Sequence, residues 1–278
     1  MPPLPPVARL VDRRRFIALC AALPAAAVAR PLAADAGTLD ERTDLSLIFQ
    51  EHGVAGTFVL YDPAADRTVA VNGERAARRY VPASTFKIAN ALIALETGVV
   101  KDESEIIPYG GKPQPFKTWE KDMSMREAIA ASAVPIFQEI ARRVGLERYR
   151  HWLDQLDYGN RQTGTALETF WLDGPLEISA IEQARFACAL AQRKLSVSER
   201  AQRIVRDCLR LQAPEGRLLF GKTGWQFSSQ PQHGWWTGWV ERDGRPFAFA
   251  LNIDIISPAD APKRVAIGTQ MLTRLGVL

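Results

Sequence analysis

The 278-residue chain is poor in the residues that metal and redox centres need, with 3 His and 3 Cys. His52, His151 and His233 stand apart, and no Cys-x-x-Cys occurs. The zinc and dithiol motifs that a sequence can reveal are therefore excluded, and no metal is expected. Each His lies among apolar or aromatic neighbours, where a structural role is expected. A glycine-rich phosphate loop and a dinucleotide fingerprint are also missing, so nothing points to nucleotide chemistry. Internal repeats and low-complexity linkers are absent. No stretch beyond residue 36 stays apolar for the roughly 20 residues of a membrane span. Hydrophobic residues make up 47% and charged residues 24%, the balance of a globular chain and not of a disordered one.

The net charge of +4 would by itself suggest a polyanion partner. Its location removes that suggestion. Residues 1–36 hold five Arg against two Asp, and the rest of the chain keeps only +1, so no nucleic-acid partner is expected. Arg13-Arg14-Arg15 precedes an apolar run from Phe16 to Ala29. Small-residue cleavage sites follow at Ala27-Val28-Ala29 and Ala34-Asp35-Ala36. This is the layout of an export signal over residues 1–29, cut after 29 or 36. Arg13-Arg14-Arg15-Phe16-Ile17 also resembles a twin-arginine signal. A periplasmic or secreted protein without a stable membrane anchor is expected, with residues 37–278 as its folded domain. Cys188 and Cys208 remain after cleavage. An oxidising compartment permits a disulfide between them, and two buried free thiols are the alternative.

Hydrophobic patterning predicts a helix over 41–52, strands over 57–61 and 68–71, and a helix over 84–96. Ser124 with Glu127, and Ser179 with Glu182, have capping-box spacing at two helix starts. Strands are predicted over 217–225, 235–241 and 247–254. Asp243-Gly244 marks a tight hairpin between the last two, and a closing helix covers 261–275. Segregated strands and helices predict an α/β protein of the α+β type. Its antiparallel sheet draws on both chain ends, about 37–83 and 213–278, with a helical region over about 84–212 inserted between them. Trp235, Trp236 and Trp239 are assigned to the sheet core. Phe116 and Trp119 fit either the mouth of a site or the core.

One motif carries chemistry. Ser84 and Lys87 are three apart at a predicted helix start, which places them on one face. A serine hydroxyl needs a neighbouring base to become a nucleophile, and a lysine serves only where an apolar pocket keeps it neutral. The helix N-terminus offers N–H groups to a developing oxyanion. Ser132, in a break between helices, and Lys222-Thr223-Gly224, on a predicted strand, add a proton relay and a cationic anchor.

The segments Pro82-Ala83-Ser84-Thr85-Phe86-Lys87, Ser132-Ala133-Val134, Tyr158-Gly159-Asn160, Phe170-Trp171-Leu172 and Lys222-Thr223-Gly224-Trp225 resemble, in order and spacing, those of class D (OXA-type) serine β-lactamases. The resemblance extends over essentially the whole chain beyond the leader. It implies the β-lactamase/penicillin-binding transpeptidase-like fold and a small-molecule β-lactam as substrate. It also implies that CO2 carboxylates Lys87 to N6-carboxylysine, with bicarbonate needed and no other cofactor. In this reading Ser84 is the nucleophile and carboxylated Lys87 the base for acylation and deacylation. Trp171 donates its indole N–H to the carbamate, Ser132 passes a proton to the leaving nitrogen, and Lys222 holds that hydroxyl. The backbone N–H groups of Ser84 and Trp225 form the oxyanion hole. Thr223, Gly224, Trp225 and Arg264 bind substrate, and Val134 and Leu172 gate water. Val134 stands where class A enzymes carry Asn, which makes the pocket drier. The rival readings are a β-lactam sensor domain with the same motifs that stays acylated, and a penicillin-binding transpeptidase or carboxypeptidase. Such sensors hang from a multi-span membrane region, and the transpeptidases usually retain a polar residue where this chain has Val134.

Overall fold

Asp243 and Gly244 adopt φ of +54° and +72°, the double left-handed geometry of a two-residue turn whose twist matches its strands. That turn joins β10 (Gln232–Arg242) to β11 (Arg245–Ile255), in register from Arg242 opposite Arg245 to Gln232 opposite Ile255. The pair forms the centre of the sheet in this computed structural model, which describes residues 38–278. The export-signal reading lies outside the described residues.

The N-terminal part contributes β1 (Thr38–Glu41), α1 (Ser46–Glu51), β2 (Gly56–Asp62), β3 (Arg67–Val71), α2 (Gly73–Ala77) and β4 (Arg79–Tyr80). The middle contributes α3 (Lys87–Glu96), β5 (Ile106–Ile107), β6 (Met123–Ser124), α4 (Met125–Ala131), α5 (Val134–Val144), α6 (Leu146–Gln155), β7 (Ile178–Ser179), α7 (Ala180–Ala191) and α8 (Glu199–Cys208). The chain ends with β8 (Arg210–Leu211), β9 (Leu218–Gln226), β10, β11 and α9 (Lys263–Arg274). Seven strands form one sheet in the order β1-β3-β2-β11-β10-β9-β8. Both chain ends feed it, as the strand pattern predicts.

Side chains alternate across the sheet, and each face finds its own partner. Trp236, Phe249, Leu251 and Phe58 pack with Ile48 and Phe49 of α1 and Ile267 and Met271 of α9. Trp235, Val59, Ala70 and Ala250 pack with Ala180 and Ala184 of α7. The helical region has a separate core around Phe86, Leu92, Phe137, Ile140, Tyr149, Phe170 and Trp171. Both capping boxes form at the predicted positions, at the starts of α4 and α7. No helix among the described residues is long and apolar enough to cross a membrane.

Three local expectations change. The opening helix starts at Ser46 and not at Glu41, because residues 38–41 pair in parallel with β3 and the Glu41 carboxylate accepts from Gly73 N. The sheet is therefore antiparallel except at that edge. Residues 83–86 form a 3-10 turn ahead of α3. The strand β8 joins the main sheet from residues 210–211, within the stretch read as helical.

Candidate active site

The nucleophile turn is built by backbone restraint. The Pro82 carbonyl accepts from Thr85 N at 3.2 Å and Thr85 Oγ1 at 2.7 Å. Ala83 is fully buried with φ of +49°, a left-handed conformation that costs a non-glycine residue about 1–2 kcal/mol. Ser84 follows at 9% exposure, and Lys87 opens α3 with none. Lys87 Nζ donates to Ser84 Oγ at 2.9 Å.

Lys87 has no ion-pair partner among the described residues. Burial, with the Lys222 ammonium adding to it, drives its pKa well below the ordinary lysine value. A neutral amine can accept at the same distance, so the Ser84 hydroxyl can turn its proton toward Nζ. The Phe137 ring lies 5.2 Å from Nζ. Trp171 is fully buried, 5.6 Å from Phe86 and 4.9 Å from Phe170 between ring centroids. Its Nε1–H has no hydrogen-bond partner among the described residues, although a buried indole donor ordinarily finds one. The Trp171 loop is held by Asn160, whose Nδ2 donates to Pro175 O and whose Oδ1 accepts from Glu177 N. Gly159 has φ of +54°, and a Cβ there would meet Glu177 O at 2.1 Å. Tyr158-Gly159-Asn160 therefore acts as a brace for that loop. The depressed lysine, the apolar walls and an indole N–H without a partner among the described residues fit a carboxylated lysine.

The second half of the site hangs on β9. The β8 strand pairs only with residues 219–220 of β9, so residues 222–226 form a sheet edge beside the nucleophile turn. Lys222 Nζ donates to Ser132 Oγ at 2.9 Å and to Thr223 O at 3.1 Å. Ser132 caps α4 in a left-handed conformation, φ +57°. Burial and then Arg264 pull Lys222 down to about 7. Gly224 allows the close approach of strand and turn: a Cβ there would meet Pro82 O at 2.9 Å and Ser84 N at 3.3 Å. The next residue is Trp225, half-buried, with Arg264 over its ring at 5.8 Å. Arg264 donates to Gly224 O and Ala261 O, and burial lowers it to about 10, so it stays a cation at neutral pH.

The structure thus brings Ser84 to Lys87, Ser132 to Lys222, and Gly224 and Arg264 to the same strand edge. Val134 opens α5 two residues after Ser132, and Leu172 follows Trp171; both are half-buried. Trp119 donates to the carbonyl of Ala131, next to Ser132, and stacks edge-on with the exposed Phe116 at 4.7 Å. Phe116 is exposed, and Trp119 is half-buried against the helical core. The three tryptophans of β10 are core residues. Cys188 and Cys208 are free thiols, each raised to about 11 by burial. Sequence reasoning missed Phe137 and Gln183 and gave Thr85 no role of its own. Gln183 Nε2 donates to Thr85 Oγ1 at 2.7 Å. Only the i+3 spacing of Phe137 from Val134 offered a signal.

Comparisons with known proteins agree on one family. Residues 56–271 match the penicillin-binding protein transpeptidase domain. The chain is 40% identical over 246 residues to β-lactamase OXA-10 of Pseudomonas aeruginosa, covering 87% of this chain and 92% of that one. It is 40% identical over 224 residues to β-lactamase OXA-48 of Klebsiella pneumoniae, covering 81% and 84%. Among solved structures, FUS-1 (OXA-85), a class D β-lactamase from Fusobacterium nucleatum subsp. polymorphum, superposes with a TM-score of 0.83. It shares 38% identity, over 86% of this chain and 100% of that one.

Proposed function

The chain belongs to the class D β-lactamases, and on that premise we propose that it opens β-lactam rings through an acyl-serine at Ser84, with carboxylated Lys87 as the base. The observation that carries this reading is Lys87 itself: fully buried, without a counter-ion among the described residues, and 2.9 Å from Ser84 Oγ. A buried amine costs several kcal/mol if it is charged, so it persists neutral, and only a neutral amine attacks CO2. CO2, when bound, converts that amine into an anionic base and releases one proton. Trp171 Nε1–H and the apolar walls would hold it.

In acylation Ser84 Oγ attacks the lactam carbonyl while its proton passes to Lys87. The N–H groups of Ser84 and Trp225 stabilise the oxyanion, at about 3–4 kcal/mol per donor. The lactam C–N bond breaks, and Ser132 protonates the nitrogen and is resupplied through Lys222. In deacylation Lys87 takes a proton from water, which cleaves the ester and frees Ser84. Arg264 and Thr223 bind the substrate carboxylate, for which a guanidinium fork is suited. Val134 and Leu172 border the path of water to Lys87. The product lacks the intact ring, so the activity gives β-lactam resistance, and export to the periplasm or medium would place the enzyme on the drug's route.

Steady-state hydrolysis of a small β-lactam panel, with and without bicarbonate at mildly acidic pH, tests the proposal. Turnover restored by bicarbonate supports it. Bicarbonate-independent turnover removes the role of carboxylated Lys87, and no turnover of any β-lactam removes the whole reading.

A further inference from the structure

The carbonyl of Val81, three residues ahead of Ser84, accepts two side-chain N–H groups from β10. His233 Nε2 and Trp235 Nε1 each lie 2.9 Å from it. A carbonyl oxygen carries no proton, so Nε2 must be the protonated ring nitrogen. The imidazole is 5% exposed and meets the Tyr80 ring edge-on at 5.3 Å. Ser229 Oγ lies 3.5 Å from Nδ1. Burial lowers the His233 pKa and Arg75 adds to that, while the Val81 carbonyl and Asp254 oppose it.

Only Pro82 and Ala83 separate this clamp from Ser84. Proline fixes its own φ. Ala83 holds a left-handed conformation that persists only when its surroundings over-determine it. The turn is pinned from behind at Val81 O, from within at Pro82 O by Thr85, and in front by Gly224.

We infer that His233 is a positioning residue for acylation: its Nε2–H, together with Trp235 Nε1–H, fixes the Val81 carbonyl and so the strained turn that aims Ser84 Oγ. His233 bonds to the Val81 carbonyl and not to Ser84, Lys87, Ser132 or Lys222, so it acts through the backbone. The inference rests on Ser84 being the acylated serine.

The test measures acyl-adduct formation on the intact protein with benzylpenicillin, by rapid-quench mass spectrometry, alongside the thermal midpoint. His233→Leu removes the donor and should slow acylation about fivefold to tenfold, the worth of one lost hydrogen bond. His233→Gln, whose amide reaches as far as Nε2, should return the rate to within about twofold of wild type. If the Leu variant does not fold, His233→Asn replaces it, since that amide reaches only as far as Nδ1. A slow Asn variant beside a fast Gln variant supports the inference. A donorless variant that acylates at the wild-type rate, or a Gln variant as slow as the donorless one, overturns it. No adduct in wild type, matching a Ser84→Ala control, would instead overturn the assignment of Ser84.

Discussion

Lys222 Nζ and Ser132 Oγ are 2.9 Å apart, although 90 residues separate them and they come from the edge of the sheet and the end of a helix. The contact joins the two halves of the site. It holds a buried lysine beside the Arg264 cation with no carboxylate bonded to it among the described residues, a costly arrangement that serves proton transfer better than stability.

That cost should appear in the pH dependence of folding. Lys222 sits near 7 in the folded protein, against about 10.4 for a free lysine. Between those values the unfolded chain binds more protons, so stability rises with pH, by at most about 1.4 kcal/mol per unit. Below pH 7 both states are protonated and the linkage is flat. Lys222→Met removes it. Urea denaturation of both proteins should therefore give a difference that moves in favour of wild type from pH 7 to 10. A constant difference would contradict the depressed lysine.

Trp171→Phe keeps most of the ring and deletes the unpartnered Nε1–H. On the proposed mechanism deacylation should slow most, because an anionic base at Lys87 would lose its indole donor. Mass spectrometry during turnover should show acyl-enzyme accumulating. A variant slowed in acylation alone would contradict the role given to Trp171.

Arg264→Ala should raise KM about tenfold to a hundredfold for a β-lactam with a free carboxylate, the worth of a charge-assisted hydrogen bond. The methyl ester of the same compound should be little affected. Equal losses on acid and ester would mean that Arg264 acts only through its bonds to Gly224 and Ala261.

Gly224→Ala places a Cβ 2.9 Å from Pro82 O and 3.3 Å from Ser84 N. The strand must retreat from the nucleophile turn. Displacements of about 1 Å can cost on the order of a hundredfold in rate, so kcat/KM should fall on that scale while the melting temperature changes little. Near-normal kcat/KM would contradict the close packing of β9 on the turn.

What was legible in the sequence was local. Asp243-Gly244 encodes its turn in two residues, and Ser124/Glu127 and Ser179/Glu182 encode their caps in four. Ser84 and Lys87 share a face because their spacing requires it. What was not legible depends on distant partners. Residues 38–41 became a strand because β3 lies beside them, an outcome that tertiary pairing decides over local propensity. Ala83 is left-handed because β9 and β10 hold the turn on both sides. His233 read as a structural histidine, and it is one. Its importance comes from which carbonyl it meets, a fact set 152 residues away. Phe137 belongs to the Lys87 pocket through the packing of α5 on α3, which no motif records.

13C NMR with labelled bicarbonate reads whether Lys87 carries a carbamate in the working enzyme. The active wild-type protein should show one carbamate resonance that is absent from Lys87→Ala and fades at mildly acidic pH together with turnover. General-base help is worth about 10²–10⁴-fold, so Lys87→Ala should lose turnover on that scale. A fully active wild-type enzyme without a carbamate resonance at saturating bicarbonate would contradict the account.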